Sequence, residues 1–182
     1  NVVFHAETQA KHARKEFSFS VTTNGTLLDK ENLAFLKEHN VGLLISLDGM
    51  PHKENKRTDH NGVHSADIAL EMGFKPVIRW SLHPSMIKHV SGDLRQLVRF
   101  GFKTIALEPV YEAEWFEGDI KSYETQMLDV KEFYINELRR GNRITVKPVD
   151  DAFLNFTMEE KQTTRCGTAT HGVGVDTRGN IY

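Results

Sequence analysis

Gly42-Leu43-Leu44-Ile45-Ser46-Leu47-Asp48-Gly49 is the stretch on which the fold turns. It is apolar at nearly every position and then breaks at a small polar turn. That pattern predicts a strand covered on both faces, as in a parallel sheet. About two dozen residues upstream the same event occurs. Phe17, Phe19 and Val21 alternate with Ser18 and Ser20, and the run stops at Thr22-Thr23-Asn24-Gly25. Between the two lies a helical segment from about Lys30 to His39. Asp29 is placed to cap it, Leu33 and Leu36 to face inward, and Asn40 to end it.

The same unit repeats downstream. Met50 to Gly62 is a polar loop, and Ser65 is expected to cap a helix that Gly73 stops. Lys75–Leu82 and Thr104–Pro109 read as the third and fourth strands. Between them Ser91 is expected to cap a helix with Leu94, Leu97 and Val98 inward and Gly101 as its stop. After an acidic, aromatic loop at 111–119, a long helix runs from about Ile120 to Arg140. Met127, Leu128, Tyr134, Ile135 and Leu138 are its expected buried face. Ile144–Val146 suggests a short further strand. Strands roughly 25 to 33 residues apart with helices between them call for right-handed crossovers and a parallel α/β sheet. Residues 1–14 have helical spacing, and 150–164 read as a helical connector. At about Thr163 the composition shifts to Gly- and Thr-rich sequence, and 171–182 alternate as a hairpin around Asp176-Thr177-Arg178-Gly179. The expected division is 1–149, 150–164 and 165–182.

Composition narrows the function classes. A net charge of −2 gives no global basic field, which argues against nucleic acid as a partner. No apolar run approaches the roughly 20 residues that span a bilayer, so no membrane partner is expected. The single cysteine, Cys166, rules out an intramolecular disulfide framework and suits a reducing compartment, so a cytoplasmic location is expected. His60 and His64 stand four apart beside Gly62, without the ligand set of a zinc site.

In parallel α/β sheets, ligands sit beyond the carboxyl ends of the strands. Thr22, Thr23, Asn24, Ser46 and Asp48 would all lie there, with the 111–119 loop. Arg57, in the loop after the second strand, has the fork to pair with a carboxylate. Each residue singly is also an ordinary turn residue. The acidic loop has a plain reading too, as carboxylates serving a helix N-terminus.

Together these residues are more specific. Thr22-Thr23-Asn24-Gly25-Thr26-Leu27-Leu28, then Ile45-Ser46-Leu47-Asp48-Gly49 with a loop arginine, then Cys166-Gly167, Gly174-Val175-Asp176 and Gly179-Asn180-Ile181-Tyr182 resemble the radical SAM enzymes with a SPASM extension. The sulfatase-maturating and peptide-maturating members are the most similar. The resemblance implies a partial TIM barrel, strands three to six of a six-unit barrel, followed by the start of a SPASM domain. It implies S-adenosylmethionine contacts at Ser46 and Arg57, with Thr22 and Asn24 lining the same pocket. It implies that Cys166 is a ligand of an auxiliary [4Fe-4S] cluster. The family's CxxxCxxC motif for the radical-generating cluster has no counterpart here, nor has its GGEP-type segment. Gly167-Thr168-Ala169-Thr170-His171-Gly172 lacks the further cysteine of the sulfatase maturases, which leaves other peptide-modifying members open.

The implied function is that of a fragment, inactive alone, of an oxidoreductase that modifies a peptide or protein side chain. Its 5'-deoxyadenosyl radical would abstract hydrogen, and formylglycine generation is one possible outcome. An α/β module that binds a peptide or partner without chemistry is the alternative. A barrel lacking its first strands leaves an edge and apolar surface uncovered, so self-association is expected.

Overall fold

The computed structural model describes residues 2–52, 60–157, 178 and 180. The chain forms two compact units, 1–149 and 150–182. In the first, elements follow as α1 (Val2–Ala13), β1 (Phe19–Thr23), α2 (Lys30–Glu38), β2 (Val41–Ser46), α3 (His60–Glu71) and β3 (Val77–Leu82). A 3-10 helix (Pro84–His89) leads into α4 (Val90–Phe100), followed by β4 (Thr104–Pro109), α5 (Glu117–Arg139) and β5 (Thr145–Lys147). Helix α6 (Val149–Thr157) opens the second unit and exposes Phe153, Leu154 and Phe156. The expected hairpin at 171–182 falls outside the described residues but for Arg178 and Asn180.

The five strands are all parallel and pair in the order β1-β2-β3-β4-β5. Each crossover therefore advances by one strand in the same direction, as in a barrel. A doubly wound sheet would reverse direction at a switch point.

Register assigns every strand residue to one of two faces. One row runs Thr23, Ile45, Ile78, Ile105, Val146, and the next pairs Trp80 with Leu107. Ile45, Ile78, Trp80, Ile105, Leu107 and Val146 are buried with α2 Leu33, α4 Leu94 and Leu97, and α5 Val130 in a single cluster. All strand residues of that cluster lie on this face, so the helices cover one side of the sheet. Burial of each large apolar side chain is worth roughly 1.5–3 kcal/mol. On the opposite face no described strand residue is buried. Strand β2, expected to be buried on both faces, instead alternates: Val41, Leu43 and Ile45 are buried, whereas Gly42, Leu44 and Ser46 are exposed or half-buried.

Local signals explain the element ends. Asp29 caps α2, its Oδ1 accepting from Asn32 N at 2.7 Å. Gly101 ends α4 at φ +114, a left-handed geometry that glycine takes without steric cost. Two expected caps move. Ser65 lies buried inside α3, because that helix starts at His60. Ser91 sits in the first turn of α4, because the 3-10 helix feeds straight into it, and Ser91 N donates to Gln126 of α5 at 2.9 Å. The long helix buries Val130, Phe133 and Glu137, while Leu128, Ile135 and Leu138 are exposed.

Candidate functional site at the strand ends

The face of the sheet away from the core carries mostly small and polar side chains, with Leu44 and Val77 among them. One row crosses all five strands as Thr22, Leu44, Val77, Thr104 and Thr145. The row above runs Ser46, Arg79, Ala106, Lys147, and above that Ser81 pairs with Glu108. None of these residues is buried. A surface of hydroxyls with a guanidinium and a carboxylate suits a polar, charged ligand. Arg79 Nη2 and Glu108 Oε2 pair across it at 3.2 Å, each about half exposed, so the pair itself adds little stability, about 0–1 kcal/mol.

Thr22 and Ser46 thus share this face, one row apart. Ser46 ends β2, half-buried; Thr22 is exposed. Asn24 lies just beyond β1, where its Oδ1 accepts from Thr26 N at 3.2 Å and from Thr26 Oγ1 at 2.9 Å, which organises the turn. Arg57 and Cys166 lie outside the described residues. Asp48 is buried, and its Oδ1 accepts from Ser81 N of β3 at 2.7 Å. It therefore ties the β2 turn to the next strand. Arg79, Ser81 and Glu108 were missed. The signal was the period-two alternation of Arg79 and Ser81 with Ile78, Trp80 and Leu82, which puts polar residues on the face away from the core.

The turn after β2 is braced a second time. Asp93, in the first turn of α4 and 2% exposed, accepts from Met50 N at 2.9 Å. It also accepts from His52 Nε2, at 2.8 Å through Oδ1 and 2.9 Å through Oδ2. An ionised carboxylate only accepts, so the imidazole nitrogen is the donor. The His52 ring stacks on His89 with centroids 4.0 Å apart.

The 111–119 loop folds on itself. Trp115 Nε1 donates to Val110 O at 2.8 Å, and Trp115 meets Tyr123 edge to face. Burial, and secondarily Tyr111, push the Tyr123 hydroxyl above its ordinary pKa. Asp119 accepts from Phe116 N at 3.0 Å, so its carboxylate serves the start of α5. Tyr111 and Phe116 stay exposed. Two shallow grooves, of about 400 and 380 Å³, lie on α4 and α5 and not at the strand ends. Among the described residues no group of three or more His, Cys, Asp or Glu could hold a metal ion. Nor is any helix there long and apolar enough to cross a membrane.

No family model matches the chain. It is 24% identical, over an alignment of 194 positions, to a cysteine-type anaerobic sulfatase-maturating enzyme of Clostridium perfringens, covering 97% of this chain and 52% of that protein. In structure it is similar to native anSMEcpe with bound AdoMet (TM-score 0.70, 17% identity, 88% of this chain and 48% of that one). It is likewise similar to native anSMEcpe with bound AdoMet and the Cp18Cys peptide (TM-score 0.72, 18% identity, 93% and 50%). The chain spans about half the length of the curated relative it matches. The resemblance to the sulfatase-maturating branch and the parallel α/β, partial-barrel fold are both borne out.

Proposed function

We propose that this chain is part of the strand-helix barrel of a radical SAM enzyme, and that its open sheet face forms one wall of the S-adenosylmethionine pocket. The observation that carries this reading is the open face itself, with Thr22 and Ser46 one row apart at the strand ends. The similarity to a structure with bound AdoMet supports it.

The residues present fit this ligand. Hydroxyls at Thr22 and Ser46 would donate to and accept from its polar groups, and the family pattern assigns Ser46 and Arg57 to contacts near its carboxylate and ribose. When bound, S-adenosylmethionine would supply radical chemistry for hydrogen abstraction from a substrate side chain. The chain's part is to bind and orient that ligand, and to present the substrate-facing surface beside it. A peptide is the proposed substrate, consistent with the peptide in the similar structure. Oxidation of a cysteine or serine to formylglycine is the reaction proposed from the maturase relative.

The cluster that delivers the electron does not fit this chain alone. Thiolate ligation of a [4Fe-4S] cluster takes four cysteines, and the sequence has one. Cys166 is proposed as one ligand of an auxiliary cluster completed by other residues of a longer protein, and the chain alone is proposed to be inactive. The test is 5'-deoxyadenosine release under dithionite after cluster reconstitution. The longer protein is expected to release it and this 182-residue chain to release none. Turnover by the chain alone would overturn the assignment.

A further inference from the structure

We infer that Asp93 is a positioning residue for the ligand-facing end of β2, acting through Met50 and His52. The inference rests on the S-adenosylmethionine reading of Ser46 and goes beyond it to a residue on the covered side of the sheet.

Burying a carboxylate is costly unless its oxygens are satisfied. Asp93 is 2% exposed, and its hydrogen bonds reach back more than forty residues to one short segment, Met50 N and His52 Nε2. An acidic residue in a first helical turn more often faces solvent and its own helix's N–H groups. Here the carboxylate is directed to the turn that follows Ser46.

Gly49 shows how tight the fit is. Its φ is +81, and a Cβ there would lie 2.6 Å from Asp93 Oδ2 and 2.8 Å from Trp80 Cζ2. No other residue type lets the turn approach the carboxylate so closely. On the other side, Asp48 Oδ1 fastens the same turn to Ser81 N. The segment leaving Ser46 is thus held to β3 by Leu47 N, which donates to Arg79 O at 3.0 Å, and by Asp48, and to α4 by Asp93. His52, stacked on His89, closes the second contact from outside. Directional bonds to buried groups allow few alternatives, so the Ser46 backbone is pre-organised before a ligand arrives.

The test uses the longer protein with Asp93→Ala, Asp93→Asn and His52→Phe. Hydrogen exchange over residues 46–52 reads the clamp without ligand, and equilibrium dialysis with S-adenosylmethionine reads affinity. Asp93→Ala is expected to speed exchange there and to weaken binding about tenfold or more. Asp93→Asn, which keeps an acceptor for Met50 N, should recover part of both. The kinetic loss should fall on the KM for S-adenosylmethionine. If Asp93→Ala does not fold, His52→Phe, which keeps a ring against His89 and removes only the outer hydrogen bond, should show the same two changes on a smaller scale. Unchanged exchange at 46–52 would overturn the clamp. Faster exchange with unchanged affinity would overturn the positioning role. A wild-type protein that binds no S-adenosylmethionine would overturn the proposed function and the role with it, while the exchange data would still decide the clamp.

Discussion

Glu137 is a charged residue that the fold encloses on α5. Asn142 Nδ2 donates to Oε2, and Arg140 Nη1 donates to Oε1 at 3.0 Å. The Asn142 bond, with that of Arg140 and its charge, holds the carboxyl below the ordinary glutamate value of 4.5 against the opposing effect of burial. A carboxyl whose pKa is depressed in the folded state stabilises that state above its unfolded pKa. The contribution is lost as pH falls through the folded value. Glu137→Gln should therefore lower the urea midpoint near about pH 7, and the gap to wild type should close below the ordinary carboxylate range. A gap that stays constant down to about pH 3 would show that the bonds act without the charge. The site residues call for a different discipline. Asp48 and Asp93 are acidic groups beside a candidate ligand face, yet both are buried and bonded to protein N–H groups. Their chemistry is architectural, and Ser46 and Thr22 are the residues proposed to meet the ligand.

Among the elements, α2 has the plainest start. Asp29 sits in extended backbone and accepts from Asn32 N. Asp29→Ala should cost about 1 kcal/mol by denaturant unfolding, and Asp29→Ser should recover most of it. Equal losses in both variants would show that the charge at the helix N-terminus outweighs the cap. Helix α5 was harder to read because it carries two apolar stripes. Met127, Val130 and Tyr134 form one, and Leu128, Ile135 and Leu138 the other. Both have helical spacing, so periodicity cannot choose between them. Packing chose the stripe that meets the core, with Val130 fully buried and Leu128 54% exposed. The strands show the same limit. An apolar run does not state which of its two faces will be covered.

For the whole molecule, the sheet's order leaves β1 and β5 as its edges among the described residues. Each edge presents backbone N–H and C=O groups able to pair with another chain. The covered face is sealed by helices, while the opposite face, together with Leu128, Ile135 and Leu138, stays in contact with solvent. The 182-residue chain is therefore expected to self-associate, with a scattering mass that rises with concentration. A strictly monomeric species at micromolar concentration would count against this. The chain spans about half the length of the relative it matches, and its strand order advances in one direction across the sheet.

Local chemistry was legible in the amino-acid sequence. The strand ends at Thr22–Gly25 and Ser46–Gly49, the Asp29 cap, the Gly101 stop and the parallel α/β class follow from short-range pattern and backbone preference. Tertiary structure alone decided which face stays open and what stands on it. Register aligns Ser46 with Arg79 and Lys147, residues separated by helices and loops, and only strand pairing specifies that row. The Asp93 contact to Met50 and His52 is of the same kind. It exists because α4 starts beneath the turn of β2, a proximity set by how the helices cross the sheet and by no local signal in either segment.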